Sequence, residues 1–318
     1  RDVSLVALPK DSIARTYVNT DFDENFINAD LEVTAQLSME SENATLTAEL
    51  LDGEEVIVSG EMDFQKQADG MSQARKLIMT VENPKKWDAE HPNLYTLRTT
   101  LKVDGSTVQI NEEKIGFREI QYGGMDGTDA NKVYVNGKEV KLRGTCRHDV
   151  SDDLGRSMTR EEAYEEAKAY KNANINFIRT SHYPASEHLL DACDELGIYV
   201  EQETAVCFQY SNVGRYEDYM AQFTEMIERD RNRPSILIWS MGNESNFSSI
   251  TDSSGRNAIQ DEKEYLDDVD RTRPRIFSWP DTGEPWDLTD LYSRHYADVQ
   301  GALGSSGKPV LHDEYAHV

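Results

Sequence analysis

Cysteine is scarce in this chain, with three in 318 residues, at Cys146, Cys193 and Cys207. An odd number so widely spaced builds neither a disulfide framework nor a four-cysteine metal site, and it leaves the redox compartment open. Basic residues are also few, since 33 Lys and Arg stand against 59 Asp and Glu for a net charge of −26. Such a polyanion repels phosphate backbones and anionic headgroups, so neither nucleic acid nor a membrane surface is an expected partner. No apolar run approaches the ~18 residues that a membrane-spanning helix requires. A Gly-x-Gly-x-x-Gly fingerprint, a nucleophilic serine elbow and a zinc motif are all missing, which argues against a dinucleotide fold and against serine or zinc hydrolysis. The chain opens at Arg1 with no initiator Met and no basic-then-apolar leader. Any targeting segment is expected to have been removed or to lie elsewhere, and the compartment is unknown.

What is present supports well-filled cores. Hydrophobic residues make up 38% and aromatics 9% of the chain, so the acidity reads as a solvated surface and not as disorder. At roughly 150 residues per domain, the length suggests two domains.

From Leu31 to about Ile115 apolar and polar residues alternate: Leu31, Val33, Ala35, Leu37; Ala44, Leu46, Ala48, Leu50; Tyr95, Leu97, Thr99, Leu101, Val103. A period of two means strands with one buried face. Asp52-Gly53 and Asp104-Gly105 punctuate them, the second as a hairpin candidate. Six or seven strands in about 110 residues without a helical stretch predict an immunoglobulin-like β-sandwich over residues 1–120.

Beyond Gly123-Gly124 the rhythm changes. A hairpin around Asn136-Gly137 leads into short apolar runs alternating with amphipathic segments, the β/α pattern. Expected strands are Val140–Arg143, Asn176–Arg179, Ile198–Glu201, Ile236–Trp239, Arg275–Ser278, a short one near Leu291, and Pro309–Leu311. Thr159 with Glu162 forms a capping box for the first helix, and Gly197 stops the second. Seven such strands favour a (β/α)8 TIM barrel over residues 121–318, with its eighth strand expected beyond Val318.

Reactive groups of such a barrel sit at the C-terminal ends of its strands. Two carboxylates stand there: Glu244, after strand four, in Gly242-Asn243-Glu244-Ser245, and Glu314, after strand seven, in Asp313-Glu314-Tyr315. Strands four and seven face each other across the mouth, a geometry suited to glycoside cleavage. With 59 acidic residues, most glutamates are solvated surface groups, and the flanking words decide the matter.

Those words resemble glycoside hydrolase family 2, most closely its β-galactosidases. They are Trp87-Asp88-Ala89-Glu90-His91-Pro92-Asn93-Leu94-Tyr95, Gly116-Phe117-Arg118, Arg143-Gly144-Thr145-Cys146-Arg147-His148, Arg179-Thr180-Ser181-His182-Tyr183-Pro184, Asn232-Arg233-Pro234-Ser235, Gly242-Asn243-Glu244-Ser245 and Asp313-Glu314-Tyr315-Ala316-His317, in the family's order across nearly the whole chain. The resemblance implies Glu244 as general acid/base and Glu314 as nucleophile of a retaining mechanism, with carboxyls about 5–5.5 Å apart. Two carboxylates so close do not both ionise readily, so one keeps a proton for the leaving oxygen. Arg179 is expected to hold Glu314 charged. By the same resemblance Asn243 binds the sugar 2-hydroxyl, His148 and His182 donate to sugar hydroxyls, and Tyr296 hydrogen-bonds the nucleophile. Trp279 is a candidate for stacking on a sugar face.

Departures from the family matter too. In the metal-dependent β-galactosidases the stretch after strand three supplies a carboxylate and a His to magnesium, whereas here Cys207 and Gln209 stand there. Neither suits a hard cation, so no catalytic metal and no cofactor is expected. Cys146 stands where Asn is common. The expected partner is a carbohydrate, and the oligomeric state is not readable. The expected activity is removal of terminal β-linked sugars, with β-galactosides first and β-glucuronides or β-mannosides as rivals; residues 1–318 alone are expected to turn over little. A non-catalytic carbohydrate-binding protein is the alternative from another class.

Overall fold

A computed structural model describes residues 3–209, 215–246, 250–279, 288–297 and 307–316. The described residues divide into two units, one of residues 3–119 with 232–234, the other of those from 120 to 231 and from 235 to 316.

The first unit holds seven strands: β1 (Ser12–Phe22), β2 (Ala29–Ser38), β3 (Asn43–Asp52), β4 (Glu55–Gln65), β5 (Arg75–Val81), β6 (Tyr95–Val103) and β7 (Ser106–Ile115). They form two antiparallel sheets, ordered β1-β2-β5 and β4-β3-β6-β7. The alternating residues of β2, β3 and β6 face one core: Leu31, Val33, Leu37, Leu46, Leu50, Leu97 and Leu101 are buried together. Each such side chain contributes ~1.5–3 kcal/mol on leaving water, which holds the register, because a one-residue slip would turn the whole set outward. The β6–β7 hairpin turns through Asp104 and Gly105, at φ 48° and 76°. Positive φ at both central residues is the backbone that matches strand twist.

The second unit begins with a small antiparallel sheet of β8 (Ile120–Gln121), β9 (Tyr134–Val135) and β10 (Lys138–Glu139). The alternating unit then runs β11 (Gly144–Cys146), α1 (Arg160–Asn172), β12 (Phe177–Arg179), α2 (Glu187–Leu196), β13 (Tyr199–Glu203), α3 (Tyr216–Asp230), β14 (Ile236–Asn243), α4 (Ala258–Val269), β15 (Arg275–Ser278), β16 (Tyr292–His295) and β17 (Val310–Glu314). Strands β11 to β15 pair in chain order and parallel, as do β16 and β17. The Cys146 thiol lies 2.9 Å from the Asp313 carbonyl, which places β17 beside β11. This is a TIM barrel-like α/β unit, with the helices packed outside on Ile178, Val200, Ile236 and Trp239.

Local signals act as expected at the helix ends. The Thr159 hydroxyl accepts from the Glu162 amide while the Glu162 carboxylate accepts from the Thr159 amide. Gly197 closes α2 at φ 75°. The first strand differs from expectation: pairing starts at Gly144 and not at Val140. Asn176 explains part of the shift, because its side chain accepts from the Arg143 amide and its own amide donates to the Arg143 carbonyl. Gly144 explains the rest, since a Cβ there would lie 2.1 Å from the Phe177 carbonyl oxygen. Strands β13, β14 and β17 also run further than their apolar cores, to Glu203, Asn243 and Glu314. Among the described residues, no helix is long and apolar enough to cross a membrane.

Candidate active site

The strand ends bring the polar residues of the second unit together. Arg179 closes β12, Glu201 and Glu203 close β13, Asn243 closes β14, His295 closes β16, and Asp313 with Glu314 closes β17. Parallel register puts all these ends on one rim.

Glu244 and Glu314, both half-buried, each present an oxygen within 4.8 Å of the other and of a His295 nitrogen. Each Glu314 oxygen has a donor: Arg179 Nη1 gives to Oε1 at 2.8 Å and the Tyr296 hydroxyl to Oε2 at 2.6 Å. Burial raises the Glu314 carboxyl, but the Tyr296 and Arg179 hydrogen bonds with the His295 charge hold it below its ordinary range. The Tyr296 phenol is pushed up to about 12, first by that bond to Glu314.

Arg179 is the hub. Its buried guanidinium donates from Nε and Nη2 to Glu203 Oε2 at 2.8 and 2.6 Å, from Nη2 to Asn243 Oδ1 at 2.7 Å, and from Nη1 to Glu314. The other Glu203 oxygen lies 2.8 Å from His182 Nδ1. Burial acts against ionised Glu203, yet Arg179 and His182 keep it below its usual range. Glu201, 3.4 Å from Arg179 Nε, goes the other way: burial drives its carboxyl well up, and its Oε2 has no hydrogen-bond partner among the described residues.

The backbone is turned where the side chains must be aimed. Glu244, Trp279 and Tyr296 each directly follow a strand and sit at φ 38°, 47° and 49°. The left-handed region costs roughly 1–2 kcal/mol for a residue with a Cβ. Their amides are held against that cost, Glu244 N by the Ser278 carbonyl, Trp279 N by Ser293 Oγ and Tyr296 N by the Glu314 carbonyl.

The structure thus brings Glu244, Glu314, Arg179, Asn243 and Tyr296 into one network, which His182 joins through Glu203. His148 is exposed, its ring edge-on to His182 at 5.7 Å, and burial together with His182 lowers its imidazole. Asn243 is buried, with its oxygen given to Arg179 and its amide 3.4 Å from Cys207 Sγ. Trp279 is 39% exposed and lies flat on His295, at 6.0 Å and 13°. The sequence reading missed His295, Glu201, Glu203 and Asp313. The sequence carries a faint signal for the glutamates, because Glu201 and Glu203 directly continue the apolar run Ile198-Tyr199-Val200, and the strand they close is wholly buried, where two acids need a cation. His295 and Asp313 adjoin Tyr296 and Glu314.

His295 joins the carboxylates. Its Nδ1 lies 2.7 Å from Glu244 Oε1 and 3.8 Å from Glu314 Oε2, and its Nε2 is 3.5 Å from Asp313 Oδ1. Burial lowers its imidazole, but Asp313, Glu244 and Glu314 together carry it above the ordinary histidine range. Asp313 in turn is held by the Ser293 hydroxyl at 2.7 Å.

Glu244, His295 and Glu314 are close enough to share a cation. Their donors are engaged otherwise: both Glu314 oxygens accept hydrogen bonds, and the Arg179 guanidinium in contact with Glu314 repels a metal. Cys207 offers no thiolate, since burial pushes it up to about 11, and the Gln209 amide donates to the Cys207 carbonyl. This donor set fits a hydrogen-bonded network better than a hard-cation site.

Comparison with known proteins is consistent along the chain. The profile of the TIM barrel domain of the glycosyl hydrolases family 2 matches residues 128–317, and a second profile of glycosyl hydrolases family 2 matches residues 12–118. A beta-galactosidase of Halalkalibacterium halodurans is 32% identical over 340 residues, covering 100% of this chain and 32% of its own length. A putative beta-glucuronidase of Formosa agariphila is 31% identical over 333 residues, covering 99% of this chain and 39% of its own. The crystal structure of a Parabacteroides merdae beta-glucuronidase superimposes with a TM-score of 0.77 at 27% identity, over 90% of this chain and 37% of that one. The chain therefore spans about a third of the length of these relatives.

Proposed function

The chain belongs to glycosyl hydrolase family 2, and from that premise we propose that the whole protein is a retaining β-glycosidase with Glu244 as acid/base and Glu314 as nucleophile. The observation that supports this reading is the approach of one oxygen from each carboxylate within 4.8 Å, which agrees better with the ~5–5.5 Å carboxyl spacing of a retaining pair than with the ~6.5–9.5 Å of an inverting one.

In the first step a Glu314 oxygen attacks the anomeric carbon as the glycosidic C–O bond breaks, and Glu244 gives its proton to the leaving oxygen. The product is a glycosyl ester on Glu314. In the second step Glu244, now a carboxylate, takes a proton from water, whose oxygen attacks the same carbon and releases Glu314. A nucleophile must be ionised to attack, and the Arg179 and Tyr296 hydrogen bonds supply that condition. The Asn243 amide and the exposed His148 and His182 side are assigned to sugar hydroxyls, and Trp279 to a sugar face.

The substrate we favour is a terminal β-galactoside, on the words around Glu244 and the galactosidase relative. A glucuronide is the second reading, because relatives named as glucuronidases match almost as well. A panel of nitrophenyl β-glycosides on the whole protein decides between them: a dominant kcat/KM with the galactoside is expected, and dominance of the glucuronide overturns the choice. A fluorinated glycoside should leave its adduct on Glu314. Glycan binding without hydrolysis, unaffected by Glu244→Gln, would remove the enzymatic reading altogether.

A further inference from the structure

His295 is a buried imidazole whose two nitrogens both face carboxylates, Glu244 on one side and Asp313 on the other. Nδ1 is within hydrogen-bond distance of Glu244, whereas Nε2 makes no hydrogen bond among the described residues and faces Asp313 at 3.5 Å, so it is the negative charge on both sides that favours the doubly protonated ring. Its orientation is not free. Trp279 stacks on one face, and Asp313, itself anchored by Ser293, stands at Nε2.

Glu244 Oε1 lies 2.7 Å from Nδ1 and is the acceptor when the ring carries both protons. A carboxylic acid carries its proton on one of two oxygens. With Oε1 receiving a hydrogen bond from a cation, that proton resides on Oε2, and Oε2 is the atom left to address a leaving group.

We propose that His295, clamped by Asp313 and Trp279, is a positioning residue that occupies Glu244 Oε1 and so directs the acid's proton to Oε2. This rests on the reading of Glu244 as acid/base. The assignment concerns delivery of a proton to the leaving group and not sugar binding, which sets what the experiment must separate.

A glycoside with a dinitrophenolate leaving group departs with little protonation, whereas an alkyl glycoside requires it. The whole protein is compared with its His295→Ala, His295→Asn, Asp313→Asn and Glu244→Gln variants on both substrate types, with folding checked by near-ultraviolet circular dichroism. His295→Ala should lower kcat/KM, which reports the step in which the leaving group departs, about tenfold more for the alkyl glycoside than for the dinitrophenyl one, a part of the ~10²–10⁴ that general acid catalysis contributes. His295→Asn keeps a donor near the Nδ1 position and should recover part of the loss. Asp313→Asn should show the same leaving-group bias, and carries the test if His295→Ala does not fold. Equal losses on both substrates, or none, for His295→Ala and Asp313→Asn overturn the proposal. If Glu244→Gln shows no leaving-group bias, the acid/base assignment itself fails. If Glu244→Gln shows it and the His295 and Asp313 variants do not, only the positioning role falls.

Discussion

Replacing Arg179 by methionine removes the cation around which the rim is built. The guanidinium supplies two hydrogen bonds to fully buried Glu203 and one each to Glu314 and Asn243. Methionine fills much of the volume, so the cost is mainly electrostatic. Deleting one partner of a buried ion pair destabilises by about 3–5 kcal/mol, because the remaining charge has lost its compensation. At ~2–4 °C per kcal/mol for a unit of this size, the melting temperature should fall by about 10 °C. The loss also has a pH signature. In the native chain Glu203 titrates below its ordinary 4.5, so the stability it contributes is present above that value and fades as pH falls through the lower, folded one. Without Arg179, burial prevails and the carboxyl titrates above its ordinary value, so stability is instead lost as pH rises. The gap between the two proteins should therefore widen from about pH 4 to pH 7, a difference in which the background of other carboxylates largely cancels. Calorimetric melting of both proteins across that range measures it, with the Arg179→Met/Glu203→Gln double variant closing part of the gap. A gap of under 1 kcal/mol, or one that narrows toward neutral pH, would refute the claim that Arg179 neutralises Glu203.

Two further outcomes follow from the same contacts. Tyr296→Phe removes a 2.6 Å hydrogen bond to Glu314; a bond to a charged group is worth ~1.5–3 kcal/mol, so kcat on whichever nitrophenyl β-glycoside of the panel the whole protein prefers should drop roughly 10–100-fold. Because Tyr296 helps hold Glu314 below its usual range, the acid limb of kcat/KM should also move to higher pH, and an unmoved limb counts against the assignment. Glu262 of α4 is fully buried, burial pushes its carboxyl well up, and neither oxygen has a partner among the described residues. Its raised folded value means stability is lost as pH rises, so Glu262→Met should stabilise by ~1–3 kcal/mol at about pH 8 and by less in acid, read by chemical denaturation; a destabilised variant would show a role for that carboxyl.

Much of the architecture is written locally. Period-two alternation at Leu31–Leu37 and Ala44–Leu50 specifies strands with one buried face, Asp104-Gly105 specifies a hairpin, and Thr159, Glu162 and Gly197 mark helix ends. Each depends on contacts within a few residues, so each can be read from a few residues. Strand-end position and flanking words pointed to Glu244 and Glu314, whose carboxylates the fold brings close together. They did not place the first strand, because Gly144 is selected by the close approach of Phe177, and Val140-Lys141-Leu142 alternates just as a strand does.

The network around the two carboxylates was decided by tertiary structure. Arg179, Glu203, Asn243, His295 and Asp313 come from β12, β13, β14, β16 and β17, and only the register of parallel strands sets their separations. An acid paired with a buried guanidinium is spelled like one dissolved in water, and in a chain with 59 acidic residues composition hides the difference. The left-handed turns at Glu244, Trp279 and Tyr296 are equally silent, because no residue type there announces them and neighbouring strands hold them in place. The sequence by itself determined that strands alternate with helices and where most of them form, since that depends on short-range sterics and periodicity. Which proton sits on which oxygen depends on charges and hydrogen bonds assembled from five strands, and that exists only once the barrel is folded.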